Sequence, residues 1–128
     1  MPLVLLKYDP ESVPSAMAEE IAYILPQFVA VELTVEEADG QLSPKDIEVW
    51  PLPKSPDDVD CNSYDLSIII VAQDYPSRRA KLDEARAAII NELQDALPFV
   101  CDTYEVPGII KGFVWVLLCP GSFGEFAV

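Results

Sequence analysis

Short runs of apolar residues along this chain predict four β-strands. They lie at 3–7, 46–52, 65–72 and 112–119, and proline, glycine, aspartate or asparagine stands near their ends, as is typical of turns. The third and fourth runs, DLSIIIVA and GFVWVLLC, are apolar at consecutive positions. Strands of this kind are usually covered on both faces, so the sheet that they form needs packing partners on each side.

Two stretches between the strands repeat their apolar residues at helical spacing. The first helix is expected to end or kink at Pro26, which leaves 29–45 as an irregular acidic segment. The second is expected to run from about 77 to 97 and to end before Pro98. The two stripes consist of Met17, Ile21, Ile24, Leu25 and Phe28, and of Leu82, Ala85, Ile89, Leu93 and Leu97.

The order strand, helix, strand therefore occurs twice, in halves of about 1–56 and 63–128. A right-handed crossover in each half places both helices on the same face of one shared sheet. The sequence thus predicts a single α/β (α+β) domain over 1–128. It is a two-layer sandwich of a duplicated β-α-β unit, with two helices on one face of a four-stranded mixed sheet. A second subunit is the simplest cover for the other face.

Composition and charge narrow the range of partners. The net charge of −14 opposes nucleic-acid phosphates and anionic lipid surfaces, so neither is an expected partner. Apolar runs fall short of the roughly 18 residues of a membrane span, and the first residues lack a secretory pattern, so we expect a cytoplasmic protein. Cys61, Cys101 and Cys119 are far apart and form no Cys-x-x-Cys pair, which predicts no disulfide framework and no structural zinc site. The sequence indicates no other metal and no organic cofactor.

The absence of histidine limits the acid-base chemistry that the chain can perform. A perturbed carboxylate, lysine, tyrosine, cysteine or the amino terminus must then serve. If Met1 is removed, Pro2 presents a basic secondary amine, and burial against apolar walls disfavours its charged form. If Met1 is retained, the Pro2 nitrogen is an amide that cannot act as a base, and Pro2 is simply the first residue of a strand.

The opening Met-Pro and the duplicated pattern together resemble the tautomerase superfamily. The segments that carry the resemblance are MPLVLLKY, DIEVWPL, DLSIIIVAQ and GFVWVLLC, which span essentially the whole chain. The superfamily includes 4-oxalocrotonate tautomerase, 5-carboxymethyl-2-hydroxymuconate isomerase and macrophage migration inhibitory factor. A ferredoxin-like domain has the same element order and is the structural alternative, but its first two strands are not adjacent and parallel.

The resemblance implies that Met1 is removed and that Pro2 is the catalytic base. It would move a proton between carbon and oxygen of a small 2-hydroxy or 2-keto unsaturated carboxylic acid. The resemblance also implies a homo-oligomer, typically a trimer, that needs no cofactor. A non-catalytic oligomeric binding or scaffold protein of the same fold stays an alternative, because the turn at 8–12 carries no arginine where the family has basic side chains.

The resemblance also places the candidate substrate-binding residues. Arg78 and Arg79 lie near the family's carboxylate-binding position, about two residues later, and the alternative for Arg79 is an ion pair with Asp83 one helical turn on. Lys7 ends the first strand and either adds to this charge or extends into solvent. Glu48 falls where 4-oxalocrotonate tautomerase has an arginine, and it either assists acid-base chemistry or lies on a solvated edge.

Aromatic residues complete the candidate site. Trp115 is expected to line an apolar pocket wall, or to belong to the core or an interface, and the same alternatives apply to Trp50, Tyr104, Phe123 and Phe126. The glycine-rich tail 120–128 carries the last two of these and is expected to lie on a neighbouring subunit.

Overall fold

The computed structural model describes residues 2–37, 40–59, 63–122 and 124–128. Met1, Cys61 and Phe123, which take part in predictions above, lie outside these ranges. The strands are β1 (Leu3–Tyr8), β2 (Glu48–Pro53), β3 (Leu66–Gln73) and β4 (Gly112–Cys119). The helices are α1 (Ser15–Leu33), α2 (Pro76–Ala80) and α3 (Leu82–Thr103), with a short 3-10 helix at Pro44–Asp46. None of the helices in these ranges is long and apolar enough to cross a membrane.

The four strands form one mixed sheet in the order β2-β1-β3-β4. Within each half the two strands are parallel, since β1 pairs with β2 and β3 pairs with β4, and the halves meet through the antiparallel pair β1 and β3. The adjacent parallel pair β1 and β2 contradicts the ferredoxin-like alternative. The predicted four-stranded mixed sheet with helices on one face is confirmed.

The core lies between this sheet and the helices. Alternate residues of β1 and β3 point toward the helices, with Val4 opposite Ile70 and Leu6 opposite Ile68. The buried helical residues that meet them include Met17, Ile21, Leu25, Val29 and Leu33 from α1 and Ala85, Ile89 and Leu93 from α3. The stripes read from the sequence therefore mark the faces that fold against the sheet.

The opposite face of the sheet carries a transverse row of large apolar side chains. Trp50, Leu5, Ile69 and Trp115 are register partners across all four strands. Trp50 is 47% exposed and Trp115 is 55% exposed, because no helix of the described residues packs on this face. Leu3, Leu117, Leu52 and Phe113 extend the apolar surface on either side of the row. We call this surface the open sheet face.

Pro26 was expected to end or kink the first helix and Pro98 to end the second, and both prolines lie inside helices. Pro26 is within α1, which continues to Leu33, and Pro98 is within α3, which continues to Thr103. A proline inside a helix removes one backbone hydrogen bond and bends the axis. Both helices nevertheless continue, because buried residues follow each proline, namely Val29, Ala30 and Leu33 in α1 and Val100 in α3. The prediction of an irregular segment from 29 onward was therefore wrong for its first residues.

Smaller differences concern where elements begin. The second strand starts at Glu48, after the 3-10 turn, and not at residue 46 as predicted. The Asp46 carboxylate fixes this turn, because it accepts hydrogen bonds from the backbone N–H of Ser43 at 2.8 Å and from the Ser43 hydroxyl at 3.0 Å. The helix predicted from about 77 begins at Pro76 and is interrupted at Lys81, where α2 gives way to α3.

Candidate functional site

Four of the candidate site residues predicted from the sequence lie at or next to the same end of the sheet. β1 and β2 begin at this end and β3 and β4 finish there, because the two parallel pairs meet in antiparallel orientation. Pro2 precedes Leu3, whose register partner is Val71, so Pro2 lies beside the last residues of β3. Glu48 begins β2 at the same end. Arg78 and Arg79 belong to α2, which follows this end of β3.

Pro2 is buried and anchored by its own backbone. Its carbonyl oxygen accepts a hydrogen bond from the backbone N–H of Glu48 at 3.2 Å. The alternation of β1 places the ring on the same side as Val4, which faces the helices. The position of Pro2 is therefore fixed by the first ladder of the sheet.

Arg78 lies in the interior with a satisfied guanidinium group. It is 2% exposed and donates from Nε to the Leu33 carbonyl at 2.8 Å, from Nη1 to that of Gln73 at 2.8 Å and from Nη2 to that of Gly40 at 3.1 Å. The guanidinium carbon also lies 5.1 Å from the centre of the Tyr75 ring, in cation–π geometry. Burial lowers the pKa of Arg78 from its ordinary value, and the nearby Tyr75 and Glu37 oppose that shift. Arg78 thus joins α1, β3 and the loop at Gly40.

Arg79, the next residue, is on the surface. Its side chain is 63% exposed, and it donates from Nε to Asp74 Oδ1 at 3.1 Å and from Nη2 to Asp74 Oδ2 at 2.7 Å. The hydrogen bond to Asp74 raises the pKa of Arg79. The suggested partner Asp83 instead meets Arg86 at 3.4 Å. Arg79 therefore presents an accessible cation near the end of β3, shared with one carboxylate of its own chain.

Further polar groups at this end were not singled out as site residues from the sequence. Lys81 donates to the Thr34 carbonyl, and the Ser77 hydroxyl lies 2.7 and 2.8 Å from the two carboxylate oxygens of Glu37, whose pKa the Ser77 bond lowers. Thr34, Ser77 and Lys81 line an open groove of about 620 Å³. The sequence held one indication of these contacts. The last turn of α1 has no basic residue, so its terminal carbonyl groups need hydrogen-bond donors from another part of the chain.

Glu48 has its backbone beside Pro2 but its side chain on the other side of the sheet. Its register partner is Leu3, which belongs to the open sheet face. The Glu48 carboxylate accepts a hydrogen bond from the Trp50 indole N–H at 2.7 Å. Glu48 and the ring of Pro2 therefore point to opposite faces.

The structure places Lys7 and Trp115 away from Pro2. Lys7 is five residues further along β1, about 17 Å at the usual rise per residue, and forms an ion pair of 2.8 Å with Asp58. Trp115 lies in the middle of β4, opposite Ile69, on the open sheet face. Neither side chain joins the group around Pro2 within this single chain.

The described residues contain no cluster of three or more histidine, cysteine or acidic side chains able to hold a metal ion. The charged side chains near the Pro2 end of the sheet include the cations of Arg78, Arg79 and Lys81 and the carboxylates of Glu37 and Asp74.

Comparisons of the sequence with protein-family models and with curated proteins give no match. Solved structures do match, over nearly the whole chain. A macrophage migration inhibitory factor-like protein from Entamoeba histolytica has a TM-score of 0.59 at 9% identity, covering 98% of this chain and 95% of that chain. The FG41 malonate semialdehyde decarboxylase, solved as inhibited by 3-bromopropiolate, has a TM-score of 0.56 at 14% identity, covering 98% and 91%.

A 5-carboxymethyl-2-hydroxymuconate delta-isomerase matches with a TM-score of 0.53 at 10% identity, covering 100% of this chain and 87% of that chain. These three proteins are members of the tautomerase superfamily. This chain has the tautomerase-superfamily fold. At these identities the likeness establishes the fold, and the chemistry has to be argued from the residues present.

Within this tautomerase fold, the two arginines differ in what they can bind. Three of the five N–H groups of Arg78 already serve backbone carbonyls, and its burial keeps ligands away. Arg79 uses two N–H groups on Asp74 and keeps three for another acceptor at the surface. The arrangement thus provides a buried structural cation and an accessible cation near the start of β1.

Proposed function

We propose that this protein is a cofactor-independent tautomerase or isomerase. Its substrate is a small 2-hydroxy or 2-keto unsaturated carboxylic acid. Pro2 is the catalytic base once Met1 has been removed, and Arg79 binds the substrate carboxylate. One observation supports the proposal most strongly. In a chain with the tautomerase-superfamily fold, Pro2 is buried at the end of the sheet where β3 finishes, and α2, which carries the exposed Arg79, follows β3 at this same end.

The chemistry follows from the character of a secondary amine. A free Pro2 nitrogen has a lone pair, and its buried setting favours the neutral form, which accepts protons. It removes the proton from the 2-hydroxyl group of an enol acid, and the electron pair forms the ketone while carbon takes up a proton. The prolinium ion supplies that proton and returns to the neutral amine, so no external oxidant or reductant is needed.

Arg79 suits the role of carboxylate clamp because it is accessible and holds N–H groups in reserve. Asp74 competes for the guanidinium group, so substrate binding either shares it or displaces Asp74. Arg78 has a different part in the proposal. It positions the α2 turn that carries Arg79, since its bonds tie this turn to α1 and β3.

We further propose that the protein is a homo-oligomer, most simply a trimer, formed over the open sheet face. Trp50, Leu5, Ile69 and Trp115 form an apolar row there that two helices on the other side cannot cover. Burying apolar surface contributes roughly 25 cal/mol per Å² before the cost of association. The tail, with Phe126 almost fully exposed, suits an arm that packs on a neighbour. Trp115 and Glu48 would then lie at the interface between subunits.

The second candidate function is a non-catalytic oligomeric binding or scaffold protein. Specific observations favour it: Arg78 and Arg79 are both engaged within the chain, and the turn at 8–12 has no arginine. In this case Met1 is retained, and the apolar surfaces serve assembly alone.

Steady-state kinetics on a 2-hydroxy-2-enoate, followed by its ultraviolet absorbance, test the proposal. A variant with one extra residue held in front of Pro2 turns the Pro2 nitrogen into an amide and should lower kcat by roughly 10²–10⁴-fold, the usual contribution of a general base. Arg79→Ala should raise KM by roughly 10-fold or more, since it removes a charged hydrogen bond to the carboxylate. Arg86→Ala is the matched control, an exposed arginine paired with Asp83, and should change neither parameter. Full activity in the variant whose Pro2 nitrogen is an amide would contradict the proposal, and no turnover in the parent protein would favour the scaffold alternative.

A further inference from the structure

A cavity of about 140 Å³ lies between α3 and the first residues of β3 and β4. Its walls are the side chains of Ile90, Leu93 and Leu97 from α3, Leu66 and Ile68 from β3, and the start of β4 at 112–114. Gln94 is the polar side chain among the lining residues. Leu66, Ile68 and Leu93 are buried core residues, so these walls are held by the packing of the fold.

The cavity is separate from the proposed active site. Leu66 is the register partner of Tyr8, at the opposite end of β1 from Pro2. Six residues of strand separate Tyr8 from Pro2, which corresponds to about 20 Å. A ligand in this cavity therefore cannot touch Pro2, Arg78 or Arg79.

The volume limits what the cavity can hold. A dry apolar cavity of about 150 Å³ is large enough for one benzene molecule and too small for a segment of peptide chain. Most of the lining is apolar and Gln94 supplies its one polar side chain, so burial of apolar surface is the main interaction that these walls offer a ligand. An apolar molecule the size of one aromatic ring is the occupant that fits.

The entrance to the cavity sets the preferred charge of that molecule. The cavity shares Gln94, Leu97 and Ile110 with an adjoining surface groove of about 550 Å³. Among the residues that line this groove, Asp102 is charged and none is basic. In a chain with a net charge of −14, a carboxylate on the ligand would meet repulsion at this entrance.

We infer that this cavity is a second binding site, selective for a small neutral aromatic or similarly sized apolar molecule. It differs in chemistry from the Pro2 end of the sheet, where the cations favour carboxylates. The inference does not depend on the proposed tautomerase activity, since it rests on the packing between α3 and the sheet.

Methyl-labelled NMR titrations of the full chain test it with benzene and benzoate, which share a ring and differ in charge. Benzene should shift the methyl signals of Ile90, Leu93 and Leu97 in a saturable way and should raise Tm, because ligand binding to the folded state stabilises it. Benzoate should bind at least ten-fold more weakly. The absence of saturable shifts with benzene, or binding of benzoate as tight as that of benzene, would overturn the inference.

Variants that fill the space make the test specific. Leu97→Trp and, independently, Ile90→Trp each place a larger side chain in the cavity, so the benzene-induced shift of the Leu93 methyl groups should disappear in whichever variant folds. Ala87→Trp adds the same side chain to an exposed position of α3 and should bind benzene as the parent does. Benzene binding that survives both filling substitutions would show that the ligand lies elsewhere.

Discussion

At the scale of single residues, Arg78 and Arg79 are neighbours in sequence with opposite environments. Arg78→Ala should destabilise the fold by about 2–4 kcal/mol, because it leaves the carbonyls of Leu33, Gln73 and Gly40 without this donor in the interior. Arg79→Ala is the matched control and should cost less than about 1 kcal/mol, since it removes a surface ion pair. Urea unfolding of the two variants measures this difference, and equal losses would contradict the structural role assigned to Arg78.

This contrast between the two arginines was not predictable from the sequence. Both arginines follow the third strand at positions that the family resemblance favours, and nothing local distinguishes them. Arg78 is buried because α1 runs on to Leu33, more than forty residues away, and ends where its carbonyls need a donor. The burial of Pro2, by contrast, could be expected, because the residue opens a strand that the sequence predicts clearly.

At the scale of elements, a pair of carboxyl groups joins the two long helices. Glu32 of α1 lies beside Glu92 of α3, where burial of Glu92 and the neighbouring Glu32 raise the pKa of Glu92 to about 7. Glu92 Oε2 is buried without a hydrogen-bond partner in the described part of the chain. Ionising Glu92 thus places a second negative charge at the contact between α1 and α3.

This pair predicts that stability falls as pH rises. The folded protein holds the Glu92 proton more tightly than the unfolded chain does, because the ordinary pKa is 4.5 and the folded pKa is about 7. The stabilisation of the fold by protonated Glu92 is therefore complete below about pH 4.5 and is lost as pH rises through about 7. The loss should be on the order of 3 kcal/mol. Glu92→Gln should flatten the profile of unfolding free energy between about pH 5 and pH 8. Asp95→Asn, an exposed control on α3, should leave it unchanged, and an unchanged profile in Glu92→Gln would refute the pairing.

The prolines show how far element boundaries can be predicted locally. The four strands lie within about two residues of their predicted limits, because short apolar runs between turn residues define them. On local grounds Pro26 was expected to end or kink the first helix and Pro98 to end the second, yet buried residues beyond each proline extend α1 and α3. The ends of these helices are decided by tertiary burial, which a short stretch of sequence does not reveal.

At the scale of the whole molecule, the open sheet face predicts the assembly. The protein should be a homo-oligomer at micromolar concentration, and Trp115→Arg should shift it toward monomer, because the substitution places a charge in the middle of the apolar row. Tyr23→Arg changes an exposed aromatic residue on α1 and should leave the assembly intact. Light scattering measures the assembly of both variants. A stable monomeric parent protein would contradict the proposed trimer and any active site that a neighbouring subunit completes.

The central claim is that Pro2 acts as a free amine, and intact-mass spectrometry of the purified native protein tests it most directly. The account predicts a mass that lacks Met1, with the Pro2 nitrogen available as a base. A mass that includes Met1 would contradict it, since the Pro2 nitrogen would then be an amide without a basic lone pair.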